Sequence, residues 1–406
     1  MPNRRTYGLV SYSRAMSLDI DLVRSDTPGV ATTTHLNNAG CSLCPDPVLE
    51  PVIEYLQQET RVGGYRLEVE RHEDVYDYRA AAAELVGGTA AEIAFTQSAS
   101  VAWWKAFSSI DLQPGDRVLA TTTEHVSAVF GLIQAQAAGV EVELLPTDPA
   151  SGETCTNSLR EKLDERVKVV CATHIPTEGG LVNPVDEIGM IVREAPAMYL
   201  VDTCQSMGQR PVSVADIGCD FLVATGRKYL RAPRGTGFLY AREGLVGLRP
   251  PDAMDGQTAA WVEPWGYELS VSAQRYETYE APMALKLGLG RAIRYASSLG
   301  LDNIAQRIEV LSEELRHRLS SISGVEVRDL TGQQSGLVSF TVEGHQPADV
   351  LGYLAQHDVT VSVIKPTKGV FDPTGRAADG AVRASVHYYN TAEELDTLAE
   401  LLVELV

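Results

Sequence analysis

Residues 220–240 read DFLVATGRKYLRAPRGTGFLY. The apolar run from Phe221 to Ala224 predicts a buried strand, and a polar turn follows it. Proline and glycines between 233 and 237 then mark a loop that leads into a second apolar run, residues 238–240. Lys228 therefore falls directly after the end of a buried strand. An amine in that position, partly buried and beside other cations, loses its proton easily and can attack a carbonyl carbon to form a Schiff base.

The charge of this stretch is opposite to that of the whole chain. Arg227, Lys228, Arg231 and Arg234 lie within eight residues that contain no acid, whereas the formal net charge of the chain is -20. A phosphate-bearing ligand would account for the reversal, since arginine and backbone N–H groups bind phosphate well. From these residues alone, a solvated basic turn is an equally good interpretation.

The bulk composition indicates a soluble globular protein. The chain has 406 residues, of which 44% are hydrophobic and 22% are charged. Its acidity argues against nucleic-acid binding, which requires a basic face. No apolar run approaches the roughly 20 residues that span a bilayer, and the N-terminus lacks the apolar region of a secretory signal. We therefore expect a cytoplasmic protein with neither a membrane nor a nucleic-acid partner.

Six cysteines are spread over the chain, which does not indicate a disulfide framework. Cys41 and Cys44 form a single CxxC without a second pair, so we expect no zinc site and assign no metal. A redox pair remains open for these two residues, although two loop cysteines are the simpler interpretation.

The chain alternates strands and helices up to about Arg275, which predicts a parallel sheet covered on both faces. After that point the pattern changes to long helices and short strands. We therefore divide the chain into an N-terminal lead (1–30), a large α/β domain (31–280), and a bridging helix with a small α+β domain (281–406). The segment from Gly244 to Tyr267 is predicted to be a long irregular loop. Predicted strands of the large domain are 93–95, 118–120, 140–145, 167–173, 198–202 and 221–224.

Polar residues follow several of these strands, at the edge where parallel sheets bind ligands. Residues 96–100 follow one strand and open a helix, whose N–H groups could hold a phosphate. Asp202 ends the strand MYLVD, and a buried carboxylate needs a partner such as a protonated pyridine nitrogen. With Gln205 and Lys228 further along, this is the arrangement that pyridoxal phosphate requires. The chain contains neither a G-x-G-x-x-G nor a Walker A pattern, so a plain nucleotide-binding protein is not supported.

Several motifs occur in an order that resembles one family, the class V branch of the fold-type I pyridoxal-phosphate enzymes. They are HLNNAG (35–40), FTQSAS (95–100), TTEHVS (122–127), THIPTEGGLVNP (173–184), VDTCQS (201–206), RYET (275–278) and VRASVHYYNTAEELD (382–396). The branch includes cysteine desulfurases, isopenicillin N epimerase-like proteins and C–S lyases. The resemblance implies a large domain with a mostly parallel seven-stranded sheet, a smaller α+β C-terminal domain and a homodimer.

The resemblance also implies three catalytic residues. Lys228 would hold pyridoxal 5'-phosphate as a Schiff base, Asp202 would pair with the pyridine nitrogen, and His125 would stack on the ring. Gln205 would bond the phenolic oxygen of the cofactor, together with Thr177, which stands where many relatives carry asparagine.

The remaining predicted site residues bind phosphate or substrate. Four residues are expected at the phosphate: Ala99, Ser100, Thr225 and Arg227. Arg383 is expected to clamp the α-carboxylate of an amino acid as a bidentate fork. The contexts of Asn38 and Arg66 predict exposed side chains that bind substrate, whereas Trp103 and Trp104 are expected to pack.

Two departures from the family pattern bear on the reaction. Desulfurases carry a nucleophilic cysteine on the loop before the RAS motif, but here that region reads VSVIKPTKGVFDPTGRAADGAV, and the sequence has no cysteine after Cys219. The segment RYETYEAP also lacks the threonine that relatives donate across the dimer interface to the phosphate, since Thr278 is shifted.

We therefore predict a lyase that performs β-elimination on an S-substituted L-cysteine through Lys228. A decarboxylating or oxidative deaminase, an epimerase and an aminotransferase remain open because they use the same site. A cysteine desulfurase is the weaker alternative, since a persulfide would have to form on Cys41, Cys44 or Cys204. A cofactor-binding fold reused as a scaffold would have no need of Lys228, Asp202 and Arg383 together.

Overall fold

The structure is a computed structural model that describes residues 18–329, 332–365 and 380–406. Most of the predicted N-terminal lead and most of the loop before the RAS motif lie outside these ranges. Of the helices described, none is both long and apolar enough to cross a membrane.

The strands are, in chain order, β1 Thr34–His35, β2 Ile93–Thr96, β3 Arg117–Ala120, β4 Glu141–Leu144, β5 Val167–Thr173, β6 Met198–Asp202, β7 Phe221–Thr225, β8 Gly237–Ala241, β9 Ala259–Glu263, β10 Gly266–Leu269, β11 Val325–Val327, β12 Leu337–Val342, β13 Val359–Thr360, β14 Ser362–Ile364 and β15 Ala381–Ser385.

The helices are α1 Ile20–Ser25, α2 Asp46–Val62, α3 Gly64–Glu70, α4 His72–Val86, α5 Ala99–Ser109, α6 Val126–Ala137, α7 Thr156–Lys162, α8 Val185–Val192, α9 Val214–Ile217, α10 Met283–Leu299, α11 Leu301–Ser320, α12 Pro347–Gln356 and α13 Ala392–Leu405.

Seven strands form one sheet in the order β2-β8-β7-β6-β5-β3-β4. The pairs from β4 to β7 are parallel, and β8 runs antiparallel to both of its neighbours, β7 and β2. The strands β6 and β7 are apolar runs that are buried along almost their whole length, as expected for a sheet covered on both faces. The mostly parallel seven-stranded sheet of the sequence prediction is thereby confirmed.

A second sheet in the C-terminal part is antiparallel, in the order β11-β12-β15-β14. The N-terminal segment contacts this part of the chain, because β1 pairs with β13 in a separate two-stranded sheet and Asn37 forms an isolated bridge with Ser385 at the end of β15. Helix α10 packs against α4 and α2. The domain boundaries of the sequence analysis stay a prediction.

One prediction for an individual element was wrong. The segment predicted as an irregular loop from Gly244 to Tyr267 contains β9 and the first two residues of β10, and these strands pair as an antiparallel hairpin. The apolar residues of β9 are largely exposed, so the alternation of burial that identifies a strand in a sequence is missing there.

Candidate active site

The carboxyl ends of β5, β6 and β7 meet at one edge of the large sheet. Thr173 pairs with Asp202 across β5 and β6, and Thr225 is the last residue of β7. A pocket of about 550 Å³, including its open mouth, lies beyond this edge. The residues that line it are Ser98, Ala99, Ser100, Thr123, His125, Ser127, Thr173, Ile175, Thr177, Asp202, Cys204, Gln205, Thr225, Arg227 and Lys228.

Lys228 is buried in the turn after β7 and lines the pocket. Burial lowers the pKa of its amine, although the nearby Cys204 and Asp202 act in the opposite direction. The turn closes through the N–H of Arg231, which donates to the carbonyl oxygen of Lys228 at 3.0 Å, and Arg231 itself has a φ of 60°. Gly208 packs closely against this turn, and a Cβ at position 208 would lie 2.6 Å from the carbonyl carbon of Tyr229. The backbone around Lys228 therefore has little freedom to shift.

Asp202 and His125 lie in the same pocket. One carboxylate oxygen of Asp202, Oδ1, accepts a hydrogen bond from the backbone N–H of Cys204 at 2.8 Å. His125 is the N-cap of α6, and its Nδ1 atom contacts Ser127 Oγ at 2.8 Å. Burial lowers the pKa of the His125 imidazole, which keeps the ring neutral and suitable for stacking on another ring.

A further group of lining residues is suited to hold an anion. Ser98 caps α5 and accepts a hydrogen bond from Val101, which leaves the first N–H groups of the helix, at Ala99 and Ser100, directed at the pocket end. Thr225 and Arg227 line the same pocket. The Arg227 guanidinium donates to the carbonyl oxygen of Gly40, which joins the HLNNAG segment to the site.

Arg383 projects from β15 towards Thr177. Its Nη1 atom donates to the carbonyl oxygen and to the hydroxyl of Thr177, both at 2.7 Å, and Nη2 donates to Asn37 Oδ1 at 3.3 Å. Its Nε atom is buried and has no hydrogen-bond partner within the described residues. Gln205 Nε2 donates to Ala39 and Thr177, whereas its Oε1 is likewise buried without a partner in the described part of the chain. These orphaned groups leave the site with capacity to bind a polar ligand.

The residues present fit pyridoxal phosphate. A buried amine with a lowered pKa, a carboxylate and a neutral imidazole share one pocket with the N-terminus of a helix that suits a phosphate. The unpartnered Arg383 Nε adds a donor for a carboxylate beside them.

None of the three predicted substrate residues lines this pocket. Arg383 lies beside it and is bonded to the lining residue Thr177, whereas Asn38 and Arg66 are engaged elsewhere. Asn38 is 0% exposed, and its amide group is used by Ser385, Asn390 and Tyr389, so the prediction of an exposed side chain was wrong. The side chain of Arg66 is 70% exposed on α3, where it pairs with Glu70 at 2.7 Å. The neighbouring Asn37, which bonds Arg383, is the asparagine of HLNNAG that faces the site.

Glu124 is a site residue that the sequence analysis missed, although it stands next to His125. Its Oε1 accepts a hydrogen bond from Thr121 at 2.6 Å and its Oε2 accepts one from Thr173 at 3.1 Å. Burial first, and then the charge of Asp202, raises the pKa of this carboxyl to about 7. A glutamate in a polar run such as TTTEHVS resembles a solvated turn, so the only signal was its position after a buried strand.

Comparisons with known proteins agree with this geometry. The model of the aminotransferase class-V family matches residues 34–398. A probable cysteine desulfurase of Methanothermobacter thermautotrophicus is 31% identical over 395 residues, which cover 94% of this chain and 97% of the relative. A cysteine desulfurase of Haloferax volcanii is 27% identical, over 95% of this chain and 96% of that protein.

Solved structures share the fold. The apo cysteine desulfurase of Thermococcus onnurineus superposes with a TM-score of 0.87 at 28% identity, covering 96% of this chain and 98% of that one. A cystine C–S lyase in complex with its product, cysteine persulfide, has a TM-score of 0.83 at 23% identity and covers 93% of this chain and 99% of that one, a likeness of fold alone.

Proposed function

This chain belongs to the aminotransferase class-V family of pyridoxal-phosphate enzymes, and from that premise we propose that it catalyses β-elimination on an S-substituted L-cysteine. The overall reaction takes the amino acid and one water to a thiol, pyruvate and ammonium. The bond that breaks is the one between Cβ and sulfur, and no oxidant or reductant is consumed.

One observation carries this choice over the desulfurases that the chain resembles. The sequence has no cysteine from residue 220 to its end, which includes the whole segment before the RAS motif. Cys204 does line the pocket, but its buried thiol has a pKa well above the ordinary value, so it supplies little thiolate. In β-elimination the sulfur leaves as a thiol that carries the substrate's own S-substituent. The enzyme therefore needs no nucleophilic cysteine.

The residues of the site divide the work as follows. When bound, the cofactor supplies an electron sink for the charge that develops at the substrate Cα. Lys228 Nζ, whose pKa burial lowers, is suited to take the Cα proton at neutral pH. Arg383, held by Thr177 and Asn37, binds the α-carboxylate and thereby fixes which face of Cα meets Lys228.

Cysteine desulfurization is the second candidate, favoured by the names of the relatives. Its sulfur acceptor would have to be Cys204 or a cysteine of the HLNNAGCSLC segment. Cys41 directly follows Gly40, whose carbonyl oxygen accepts from Arg227, so that segment does approach the pocket. Decarboxylation, epimerization and transamination stay possible on the same residues.

The products from two substrates separate these reactions. The purified holoenzyme is incubated with L-cysteine and with S-methyl-L-cysteine, and pyruvate, alanine, thiol and CO2 are measured. β-Elimination predicts pyruvate from both substrates and methanethiol from the second. Alanine from L-cysteine, with no reaction of S-methyl-L-cysteine, would instead identify a desulfurase, and CO2 release would identify a decarboxylase. Lys228→Ala serves as the control, which should abolish every product.

A homodimer also stays a proposal that rests on the family resemblance. Thr278, the residue nearest to the missing cross-subunit threonine, donates its hydroxyl hydrogen to the carbonyl oxygen of Glu280 at 3.2 Å within its own chain. Sedimentation of the holoenzyme would test the dimer.

A further inference from the structure

Glu124 occupies an unusual position behind the cofactor pocket. It lies between β3 and α6, and the side chain is buried against the carboxyl end of the large sheet. Both carboxyl oxygens accept hydrogen bonds from threonine hydroxyls, Thr121 at 2.6 Å and Thr173 at 3.1 Å. No arginine, lysine or histidine forms an ion pair with it within residues 18–329, 332–365 and 380–406. A buried carboxylate without a cation is costly, so the environment favours the neutral acid.

The same carboxyl is connected to the residue expected at the ring nitrogen. Thr173, which bonds Glu124, is the partner of Asp202 in the parallel register of β5 and β6. Thr173 and Asp202 both line the pocket. Two acidic side chains, Glu124 and Asp202, therefore lie at this edge of the sheet, and of these two only Asp202 lines the pocket.

Several titratable groups of the described residues surround Glu124. Cys171 on β5, Tyr199 on β6 and Asp202 at the end of β6 interact electrostatically with it. His125 follows it in the chain and begins α6, where its charge responds to Asp202, Lys228 and Arg227. The negative charge of Asp202 opposes a second negative charge on the Glu124 carboxyl.

A cation placed against Asp202 changes this balance. The protonated ring nitrogen of the cofactor would offset the negative charge of Asp202, which removes part of the repulsion that keeps Glu124 neutral. In turn, an ionised Glu124 adds negative potential at the ring nitrogen and favours its protonated form. Such coupling is reciprocal, because each site must change the other's equilibrium by the same factor.

We propose that Glu124 is a positioning residue that acts through Thr173 and Asp202 on the cofactor, and that binding of a protonated pyridine ring is linked to loss of the Glu124 proton. The inference concerns the cofactor and is independent of the reaction proposed for the substrate. According to this proposal, Glu124, which is buried and does not line the pocket, helps to keep the ring nitrogen protonated at alkaline pH.

The test uses pyridoxine 5'-phosphate, which has the ring and phosphate but no aldehyde, so the Lys228 imine does not enter the measurement. Its dissociation constant is measured by titration calorimetry for the wild-type protein and for Glu124→Gln, at about pH 6 and about pH 8.5. The amide copies the neutral acid. We expect equal affinities at the lower pH and a wild-type affinity about fivefold to tenfold higher at the upper pH, the lower end of usual coupling between sites.

A second readout reports the ring directly. The ¹⁵N chemical shift of ring-labelled pyridoxine 5'-phosphate distinguishes the protonated from the neutral nitrogen. In Glu124→Gln the bound ring should lose its proton at a lower pH than in the wild type, which a purely structural role of Glu124 would not produce. Glu92→Gln is the matched control, since Glu92 is another buried glutamate, bonded at the far end of the sheet by Thr89 and Tyr240.

Equal pH dependence of affinity in the wild type and Glu124→Gln, with unchanged ¹⁵N titrations, would overturn the proposal. Should Glu124→Gln fail to fold, Thr173→Val and Thr173→Ser replace it. The Thr173 hydrogen bond favours the ionised form of the Glu124 carboxyl and partly offsets the effect of burial. Its loss in Thr173→Val should therefore move the pH dependence of affinity upwards, and Thr173→Ser should restore it. No difference between these two variants would also refute the linkage.

Discussion

Glu124→Gln is expected to change the pH dependence of folding stability as well. The pKa of Glu124 is raised from its ordinary 4.5 to about 7 in the folded protein. Between these values the folded state binds more protons than the unfolded state, so the free energy of unfolding decreases as pH rises. A shift of this size corresponds to about 3 kcal/mol at 1.36 kcal/mol per pKa unit. That stability is fully present below the unfolded pKa and is lost as pH rises through the folded one.

The glutamine variant lacks this loss because an amide does not ionise. Relative to the wild type, Glu124→Gln should therefore gain about 2 to 3 kcal/mol between about pH 5 and about pH 8.5. Titrating groups that do not interact with Glu124 cancel in the difference between the two proteins. The assay is urea unfolding of the cofactor-free proteins, followed by far-ultraviolet circular dichroism at several pH values.

Glu92→Gln provides the contrast. Backbone N–H groups of Thr89 and Glu243, both at 2.9 Å, bond the Glu92 carboxylate, and its pKa is lowered. The stability that Glu92 contributes is present above its unfolded pKa, so the variant should be weaker by a nearly constant amount over the same pH range. The reasoning fails if Glu124→Gln also differs from the wild type by a constant amount.

Three other substitutions have definite expected outcomes. Arg383→Lys should raise KM for the amino acid about 10- to 100-fold, because a bidentate charged hydrogen bond contributes about 1.5–3 kcal/mol, and steady-state kinetics would measure this. Arg66→Ala should leave kcat/KM unchanged and alter stability by less than about 0.5 kcal/mol, since the ion pair with Glu70 is exposed; a tenfold loss of kcat/KM would return Arg66 to the site. Asn38→Ala should destabilise the protein by about 1–3 kcal/mol for each buried partner left unsatisfied, measured by urea unfolding; retention of full stability would show that Tyr389 and Ser385 find other partners.

The buried strands were readable from the sequence because their burial is continuous. The run from Phe221 to Thr225 is buried at every position, and a polar turn and a glycine-marked loop follow it. Ser98 was readable as a helix start for a similar reason, since a serine before an apolar helix caps it locally. These features depend on neighbours in the chain, so the sequence contains them.

The hairpin of β9 and β10 could not be read in this way. Its residues are mostly exposed, so neither strand has the alternation or the continuous burial that marks a strand. The hydrogen bonds between the two strands decide the structure there, and backbone hydrogen bonds leave almost no trace in the order of side chains.

The order of residues was sufficient to place Lys228 and Asp202 at one edge of the sheet, because the carboxyl ends of neighbouring parallel strands lie at the same edge. Their roles stay a prediction. Only the tertiary structure distinguished Asn37 from Asn38 and revealed Glu124. Adjacent residues in an extended segment point in opposite directions, and which direction meets the pocket depends on where β15 and Tyr389 pack. The charge state of Glu124 likewise depends on Thr173 and Asp202, which are distant in the chain and become its neighbours only when the sheet has formed.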